Sequence, residues 1–395
     1  MNKVRFGIIG LGNQGTSYLT GHFDSGKIEN GVVTAGCDIN PAKIKHAKSI
    51  TKSELAYFTD YRDMIKSGLV DAVLIETPHY LHPEIAIECL KAGIHVLCDK
   101  PAGVYTKQVR EMNEAAKKSK AVFGMMFNQR TNCVYRKMRE IVRAGGIGEL
   151  QRVVWVITDW FRTQIYYDSG SWRATWAGEG GGVLINQCPH QLDLISWVVG
   201  ELPTSVRGFC KYGKWHDIEV EDDVTAYLEY ANGATGVFVT TTGETPGTNR
   251  FEISGTRGKL LCENGKLVHI RNKESSTDFS KTAKEPFGRP ERETVTVETD
   301  GQNPQHAGII NNFTNAVLGK EPLFVSGEEG ICGVELMNAI ELSGWRDGAR
   351  VTLPVNEEEY LAELNARRAT SRLKTADDDA VTNTIGTYGT DNGHI

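Results

Sequence analysis

Eight cysteines are spread over 395 residues with no CxxC pair and no regular spacing, which argues against a disulfide framework or a cysteine-based zinc module. Most of them are expected to be small buried apolar side chains, kept reduced. The chain also lacks an HExxH pair for a catalytic zinc and a GxSxG turn for a nucleophilic serine. No metal is therefore expected. Excess charge of one sign is scarce: 44 Lys and Arg face 50 Asp and Glu, a net charge of −6, whereas nucleic-acid binding needs a basic face that displaces counterions. No apolar run approaches the ~20 residues of a membrane span, and the first strand opens too close to the start for a secretory leader. These absences lead to the expectation of a cytoplasmic protein whose partner is a small molecule, with no nucleic acid and no membrane. Hydrophobic content of 40% and charged content of 24% are ordinary for a globular chain, and the length suits two domains.

What is present begins at residue 4. Val-Arg-Phe-Gly-Ile-Ile-Gly-Leu-Gly-Asn-Gln-Gly runs from an apolar strand into Gly10, Gly12 and Gly15, with a helix-competent stretch behind. Gly10 allows a tight reversal, Gly12 allows a pyrophosphate to approach the backbone, and Gly15 allows the helix to pack on the strand. Free N–H groups and the helix dipole then favour the anion. An acidic residue is expected at the end of the second strand, to accept hydrogen bonds from a ribose diol, and Asp38 stands there. A carboxylate at that point repels the 2′-phosphate of NADP, so NAD is the expected cofactor and NADP the lesser candidate, with Lys43 and Lys45 nearby in its favour. The plainer role for Asp38 is to cap the helix that starts near Pro41.

Short apolar segments alternate with helical patterns up to about Met125: strands at 4–9, 32–37, 72–76, 95–98 and 121–125, helices at 83–92 and 106–119. This predicts an α/β domain over residues 1–126, a doubly wound parallel sheet of the Rossmann type. After a connecting helix over 133–144 the pattern changes to period-2 strands, among them 152–158, 224–230 and 235–241, with an Asn-Gly hairpin tip at 232–233. Helices recur at 189–199, 306–318 and 328–343. Residues 127–366 thus read as an α+β domain with a large, mostly antiparallel open sheet, helices on one face and the other face free. Such a face suits a second copy, hence a homo-oligomer, dimer or tetramer. The stretch 367–395, with Asp377-Asp-Asp379 and many small polar residues, is expected to be a mobile tail or to dock on a neighbouring subunit.

Further motifs fall in a fixed order. They are Gly10-Leu-Gly-Asn-Gln-Gly15, Thr77-Pro-His-Tyr-Leu-His82, Asp99-Lys-Pro101, Phe127-Asn-Gln-Arg130, Gly145-Gly-Ile-Gly-Glu149, Gly180-Gly-Gly182 and His190-Gln-Leu-Asp193. In this order and spacing the chain resembles the glucose-fructose oxidoreductase / inositol dehydrogenase (Gfo/Idh/MocA) family over about residues 3 to 350. The resemblance implies NAD bound by Gly10, Gly12, Asn13, Gln14, Gly15, Asp38, Thr77, Pro78, His79, His82, Asp99, Lys100, Asn128 and Arg130. It implies catalysis by Lys100 and His190. The chain departs from the family pattern at three points: Asn186 stands where a carboxylate is usual, Asp99 replaces Glu, and His79 replaces Asn.

The chemistry asks for such groups. Oxidising a secondary alcohol removes a proton from O–H and a hydride from C–H, so a base must touch the hydroxyl. His190 titrates near neutrality, and the Lys100 ammonium stabilises a developing alkoxide. With Asn186 in place of a carboxylate, His190 is expected to be more readily neutral, and Asn186 to orient the ring or to hold a substrate hydroxyl. Asp193, one turn on, is a second candidate partner and a substrate-binding candidate. Trp172-Arg-Ala-Thr-Trp176 offers flat apolar faces and one cation, which makes Trp172 and Trp176 substrate-binding candidates, with Phe161, Arg162 and Tyr166 weaker ones. Asp217, Glu219, Glu221, Asp222 and Asp223 with His216 look like a metal cluster, yet acidic runs at a strand entry are expected to be solvated.

The leading expectation is an NAD-dependent dehydrogenase that oxidises a secondary hydroxyl of a pyranose sugar or glycoside, with ring C3 a candidate position. An inositol (cyclitol) dehydrogenase is the nearest competitor. A redox-neutral NAD-dependent glycosidase and a non-catalytic NAD-sensing protein stand further off.

Overall fold

The computed structural model describes residues 3–372 and Lys374. Its first sheet has six parallel strands: β1 (Val4–Ile9), β2 (Gly31–Cys37), β3 (Ala56–Phe58), β4 (Ala72–Ile75), β5 (His95–Cys98) and β6 (Phe123–Met125), in the order β3-β2-β1-β4-β5-β6. β4 is buried along its whole length. Near-continuous apolar character is what a strand covered on both faces requires. From β1 the chain winds outward to β2 and β3, then crosses back to β4 and proceeds the other way. The order therefore reverses between β1 and β4, and it is at such a switch point that open α/β sheets bind ligands.

The helices over this sheet are α1 (Asn13–Tyr18), α2 (Pro41–Ile50), α3 (Tyr61–Lys66), α4 (Leu81–Lys91) and α5 (Thr106–Lys118). α1 continues directly into a π-helical turn, Leu19–Phe23. The three-residue β3 and the six-residue α3 escaped the sequence reading, being too short to show a period. Asn40, not Asp38, caps α2, its side chain accepting from Ala42 N. The plainer role for Asp38 is thereby corrected.

α6 (Cys133–Arg143) leads into a nine-stranded sheet made of β7 (Leu150–Ile157), β8 (Ser205–Tyr212), β9 (Glu221–Glu229), β10 (Thr235–Thr241), β11 (Asn249–Gly255), β12 (Gly258–Glu263), β13 (Lys266–Asn272), β14 (Arg292–Thr296) and β15 (Val351–Thr352). Its order is β14-β13-β12-β11-β7-β10-β9-β8-β15, antiparallel throughout except for the parallel pair β7 and β10. Trp155 stacks on Phe251 with ring centroids 4.1 Å apart on the buried face, while the alternate residues Val154, Val156, Val237 and Val239 are half-exposed on the other.

α7 (Gln164–Asp168), α8 (Val183–Asn186) and α9 (Pro189–Val199) lie between β7 and β8, α10 (Ser276–Thr282) precedes β14, and α11 (Gln305–Val317), α12 (Gly330–Gly344) and α13 (Glu357–Ala369) close the described chain. α12 packs on β8 and α9. α13 contains Arg367, so the boundary expected at 366 falls inside a helix. Beyond it, Ser371 donates to the Glu219 carboxylate and Lys374 Nζ to Tyr167 O at 2.9 Å. The remainder of the expected tail, Leu373 and residues 375–395, lies outside the described residues. No helix among the described residues is long and apolar enough to cross a membrane.

Candidate active site

At the switch point the three glycines of the turn behave differently. Gly10 has φ +98°, and a Cβ there would stand 2.5 Å from Glu76 O. A Cβ at Gly15 would stand 1.9 Å from Gly10 O, so both are fixed by the protein's own packing. Gly12 faces open space, with nothing within 4 Å of an added Cβ. Nothing inside the protein demands glycine at 12, and the close approach of a ligand does. Asp38 ends β2 and turns back to the same loop, accepting from Leu11 N and Asn40 N, each at 2.8 Å. The dinucleotide's fit is thus tested twice, by the open cradle at Gly12 and by a carboxylate fixed beside it.

The next two loops on this edge are tied together by His82. Its Nδ1 lies 2.8 Å from Pro101 O and its Nε2 2.7 Å from Thr77 O, which fixes the segment after β4 to the segment after β5. Lys100, in that second segment, is 9% exposed. Its Nζ crosses the cleft to donate to Asn186 O at 2.9 Å. His79 reaches the same wall, with Nδ1 3.3 Å from Glu179 O and its ring edge-on to Trp172 at 5.7 Å between centroids. Burial, then His82 and Lys100, push the His79 imidazole well below its usual range.

Opposite stands His190, in the first turn of α9, 5% exposed, its Nδ1 without a hydrogen-bond partner among the described residues. Burial first, then the Lys100 charge and His306, hold this imidazole well below its ordinary pKa. The direction matches what Asn186 suggested from the sequence, but the leading cause is burial rather than the missing carboxylate. Asn186 does not orient His190. Its amide donates to Glu179, and its carbonyl oxygen accepts from Tyr166 Oη and from Gln187 Nε2, each at 3.1 Å. Glu179 is buried, accepts from Ala174 N at 2.5 Å and lies 3.9 Å from Arg173 Nη1. Arg173 in turn donates to Tyr166 Oη at 2.7 Å. A carboxylate therefore does serve this wall, seven residues before Asn186. The sequence reading missed it because nothing in Gly178-Glu-Gly180 marks a side chain turned inward.

Other expected residues take other places. Arg130 and Asp193 are buried and bound to each other, Nη2 to Oδ1 at 2.6 Å and Nε to Oδ2 at 2.8 Å, and Arg130 also meets Glu329. Both are taken up by structure, which corrects the cofactor role for Arg130, the partner role for Asp193 beside His190 and its substrate role. Asn128 donates to the Gln305 side chain instead of standing free for a cofactor. Trp176 packs against Tyr212 and Trp345, a core anchor rather than a sugar platform. Arg162 lies over the Tyr166 ring at 5.3 Å and donates to Phe161 O at 2.9 Å. The acidic run is solvated only in part: Asp217 is exposed, Glu219 and Asp223 are half-buried, and Glu221 and Asp222 are buried. Asp222 accepts from Lys214 N, Trp215 N and His216 N. Glu221 accepts from Gly182 N and Leu184 N, and burial raises its carboxyl to about 7. These carboxylates hold loops in place by taking up backbone donors.

A crevice of this kind serves a dinucleotide, and a buried ammonium beside a neutral imidazole serves to take a proton from an alcohol. Together they place the chain among NAD(P)-dependent oxidoreductases that act on CH–OH donors. Comparison with known proteins narrows the class. Residues 4–127 match the GFO/IDH/MocA model described as an oxidoreductase family with an NAD-binding Rossmann fold, and residues 135–261 match the GFO/IDH/MocA C-terminal domain. The chain belongs to the Gfo/Idh/MocA family of oxidoreductases, and its cofactor is NAD.

Among its relatives is myo-inositol 2-dehydrogenase of Thermotoga maritima, 26% identical over 335 residues, 83% of this chain and 92% of the relative. The trans-1,2-dihydrobenzene-1,2-diol dehydrogenase of Bos taurus is 31% identical over 65% of this chain and 72% of its own. Among solved structures, the WlbA dehydrogenase of Bordetella pertussis, in complex with NADH and UDP-GlcNAcA, superposes with a TM-score of 0.76 at 26% identity. It covers 90% of this chain and 99% of its own.

Proposed function

We propose that the protein oxidises a secondary hydroxyl of a pyranose sugar or glycoside, ring C3 being a candidate position, with Lys100 and His190 as the acid/base pair. The observation that carries this is the Lys100 ammonium, buried and held on the Asn186 carbonyl, with its charge acting on the neutral imidazole of His190. Lys100 lowers the pKa of the substrate hydroxyl and stabilises the alkoxide as it forms; His190 takes the proton. NAD, when bound, supplies the hydride acceptor for the C–H electron pair. Gly10, Gly12, Asn13, Gln14 and Gly15 would hold its pyrophosphate and Asp38 its adenosine ribose, while Thr77, Pro78, His79, His82 and Asp99 would line the nicotinamide end.

A polyhydroxylated ring suits the opposite wall. Asn186, Tyr166, Arg173 and Gln187 form one connected array of donors and acceptors, and the Trp172 face beside His79 suits a patch of ring C–H groups. Inositols are the second reading, since a relative is named for that activity and cyclitols carry the same vicinal hydroxyls. Half-exposed valines on the open sheet face, Val154, Val156, Val237 and Val239, support a homo-oligomer through that face, to be checked by light scattering.

The test is NADH absorbance with NAD and a panel of inositols, free hexoses and aryl glucosides, repeated with Lys100→Met. Lysine-dependent turnover on one class supports the dehydrogenase and identifies the ring. No absorbance change on any of them, with NAD copurifying, favours the redox-neutral glycosidase; an effect that survives Lys100→Met favours the sensor.

A further inference from the structure

A lysine from the far end of the described chain reaches the substrate wall. Beyond α13 the backbone crosses to the irregular segment between α7 and α8. Within the last turn of α13, Arg368 lies over the Tyr80 ring at 4.6 Å, and Tyr80 Oη donates to Trp176 O at 2.7 Å. Ser371 and Arg372 are then seated on Glu219, whose carboxylate accepts from Ser371 Oγ, from Arg372 N at 2.7 Å and, on the loop side, from Trp176 N at 2.7 Å. Ala177 N donates to Ser371 Oγ at 3.0 Å, and Arg372 Nη1 donates to Asp217 Oδ1 at 2.5 Å. So delivered, the half-buried Lys374 ammonium donates to Tyr167 O at 2.9 Å and to Arg173 O at 2.7 Å. Burial lowers its pKa, while the charges of Asp168, Glu179 and Glu219 favour the protonated form.

Those two carbonyls bracket the part of the loop that carries Trp172 and Arg173. The Arg173 guanidinium lies 4.8 Å from the centre of the Trp172 ring and donates to Tyr166 Oη, and the Trp172 ring stands edge-on to His79. The next residue, Ala174, has φ +53°, a left-handed backbone that alanine adopts at a cost. Such a conformation persists only where its surroundings over-determine it. Here Glu179 accepts from Ala174 N at 2.5 Å on one side, and Lys374 holds the preceding carbonyl on the other. We infer that Lys374 is a positioning residue for the substrate wall, its ammonium pinning the backbone at Tyr167 and Arg173 so that Tyr166, Trp172 and Arg173 meet a sugar ring in one arrangement. The inference rests on the sugar-oxidising reading of the cleft and adds to it a residue that acts through the loop.

Hydrogen exchange of the full chain, read by mass spectrometry, tests the clamp, and steady-state kinetics test its consequence. In Lys374→Met the amides of residues 168–177 are expected to exchange about tenfold faster, while those of the glycine turn at 10–15 keep their rates. With whichever inositol, hexose or aryl glucoside the enzyme oxidises, KM is expected to rise about tenfold with kcat within about threefold, and NADH affinity, read by fluorescence titration, to stay within about twofold. Lys374→Arg, which keeps a cation and several N–H donors, should bring both exchange and KM back to within about threefold of wild type. Unchanged exchange in Lys374→Met overturns the clamp. Faster exchange with an unchanged KM, an equal loss of NADH affinity, or a Lys374→Arg protein no better than Lys374→Met overturns the positioning role. A wild-type chain that oxidises none of the panel overturns the sugar-oxidising reading, and the exchange measurement still decides the clamp.

Discussion

On the Rossmann wall of the cleft the backbone is left open for a ligand: nothing lies within 4 Å of a Cβ added at Gly12. On the opposite wall most of the polar side chains are spent on one another. Glu179, Asn186, Tyr166, Arg173 and Gln187 form one network, and Arg130, Asp193 and Glu329 form another beneath it. One wall holds a ligand common to a whole class, so backbone geometry and a few carboxyl groups suffice. The other must present a rigid, particular pattern, which takes side chains that fix each other. Lys100 joins the two, rooted after β5 and bonded to the far wall at Asn186 O.

The largest expected effect comes from cutting that joint. Lys100→Met should lower kcat by about 10³-fold or more, because it removes the only cation proposed to meet the developing alkoxide, while calorimetry shows NAD still bound. A loss of NAD binding equal to the loss of rate would instead make Lys100 part of the cofactor wall. Next is Arg130→Met, which strands the buried Asp193 charge and should cost about 3–5 kcal/mol of stability, read as a fall in melting temperature. Arg130→Met with Asp193→Leu should recover most of it. If Arg130→Met left the melting temperature alone and raised KM for NAD, the cofactor role first expected for Arg130 would return.

The two walls were also unequally legible in the sequence. On the Rossmann side the glycine turn and Asp38 lie within a strand, a turn and the residue after it, so Gly10, Gly12, Gly15 and Asp38 were legible from spacing, whereas Lys100 stood out only through the resemblance to the family. Across the cleft the partners are distant in the chain. Arg130 and Asp193 are 63 residues apart, and each matched a family motif that suggested contact with a ligand. Trp176 and Trp172 looked alike as neighbouring tryptophans, yet one anchors the core and the other lines the cleft. Pairing of this kind is fixed by the packing of α9 against α6 and α12, which no local pattern encodes.

A smaller effect should come from Glu179→Gln. It keeps the volume but replaces the carboxyl acceptor for the Asn186 amide with an amide, so kcat/KM for the sugar is expected to fall about tenfold with KM for NAD unchanged. An equal rise in both KM values would mean that Glu179 supports the fold as a whole and that the network is not specific to the substrate wall.

The smallest effect crosses the cleft through space. His190 acts as a base only when neutral, and burial with the Lys100 charge holds its pKa well below 6.5. An imidazole of ordinary pKa would be half protonated at pH 6.5. Here the acid limb of kcat/KM should lie lower, so that initial oxidation rates fall by less than about twofold between pH 7.5 and 6.5. The sign for stability is the same: the unfolded chain takes up the proton first, so stability declines as pH drops below 6.5 toward the folded-state value. In Lys100→Met, NMR titration of the His190 ring should show its pKa moving part of the way back up, since burial remains and the cation is gone. A ring titrating at 6.5 in the wild type, or one indifferent to Lys100, would mean the walls are electrostatically independent and that the proton leaves the substrate by another group.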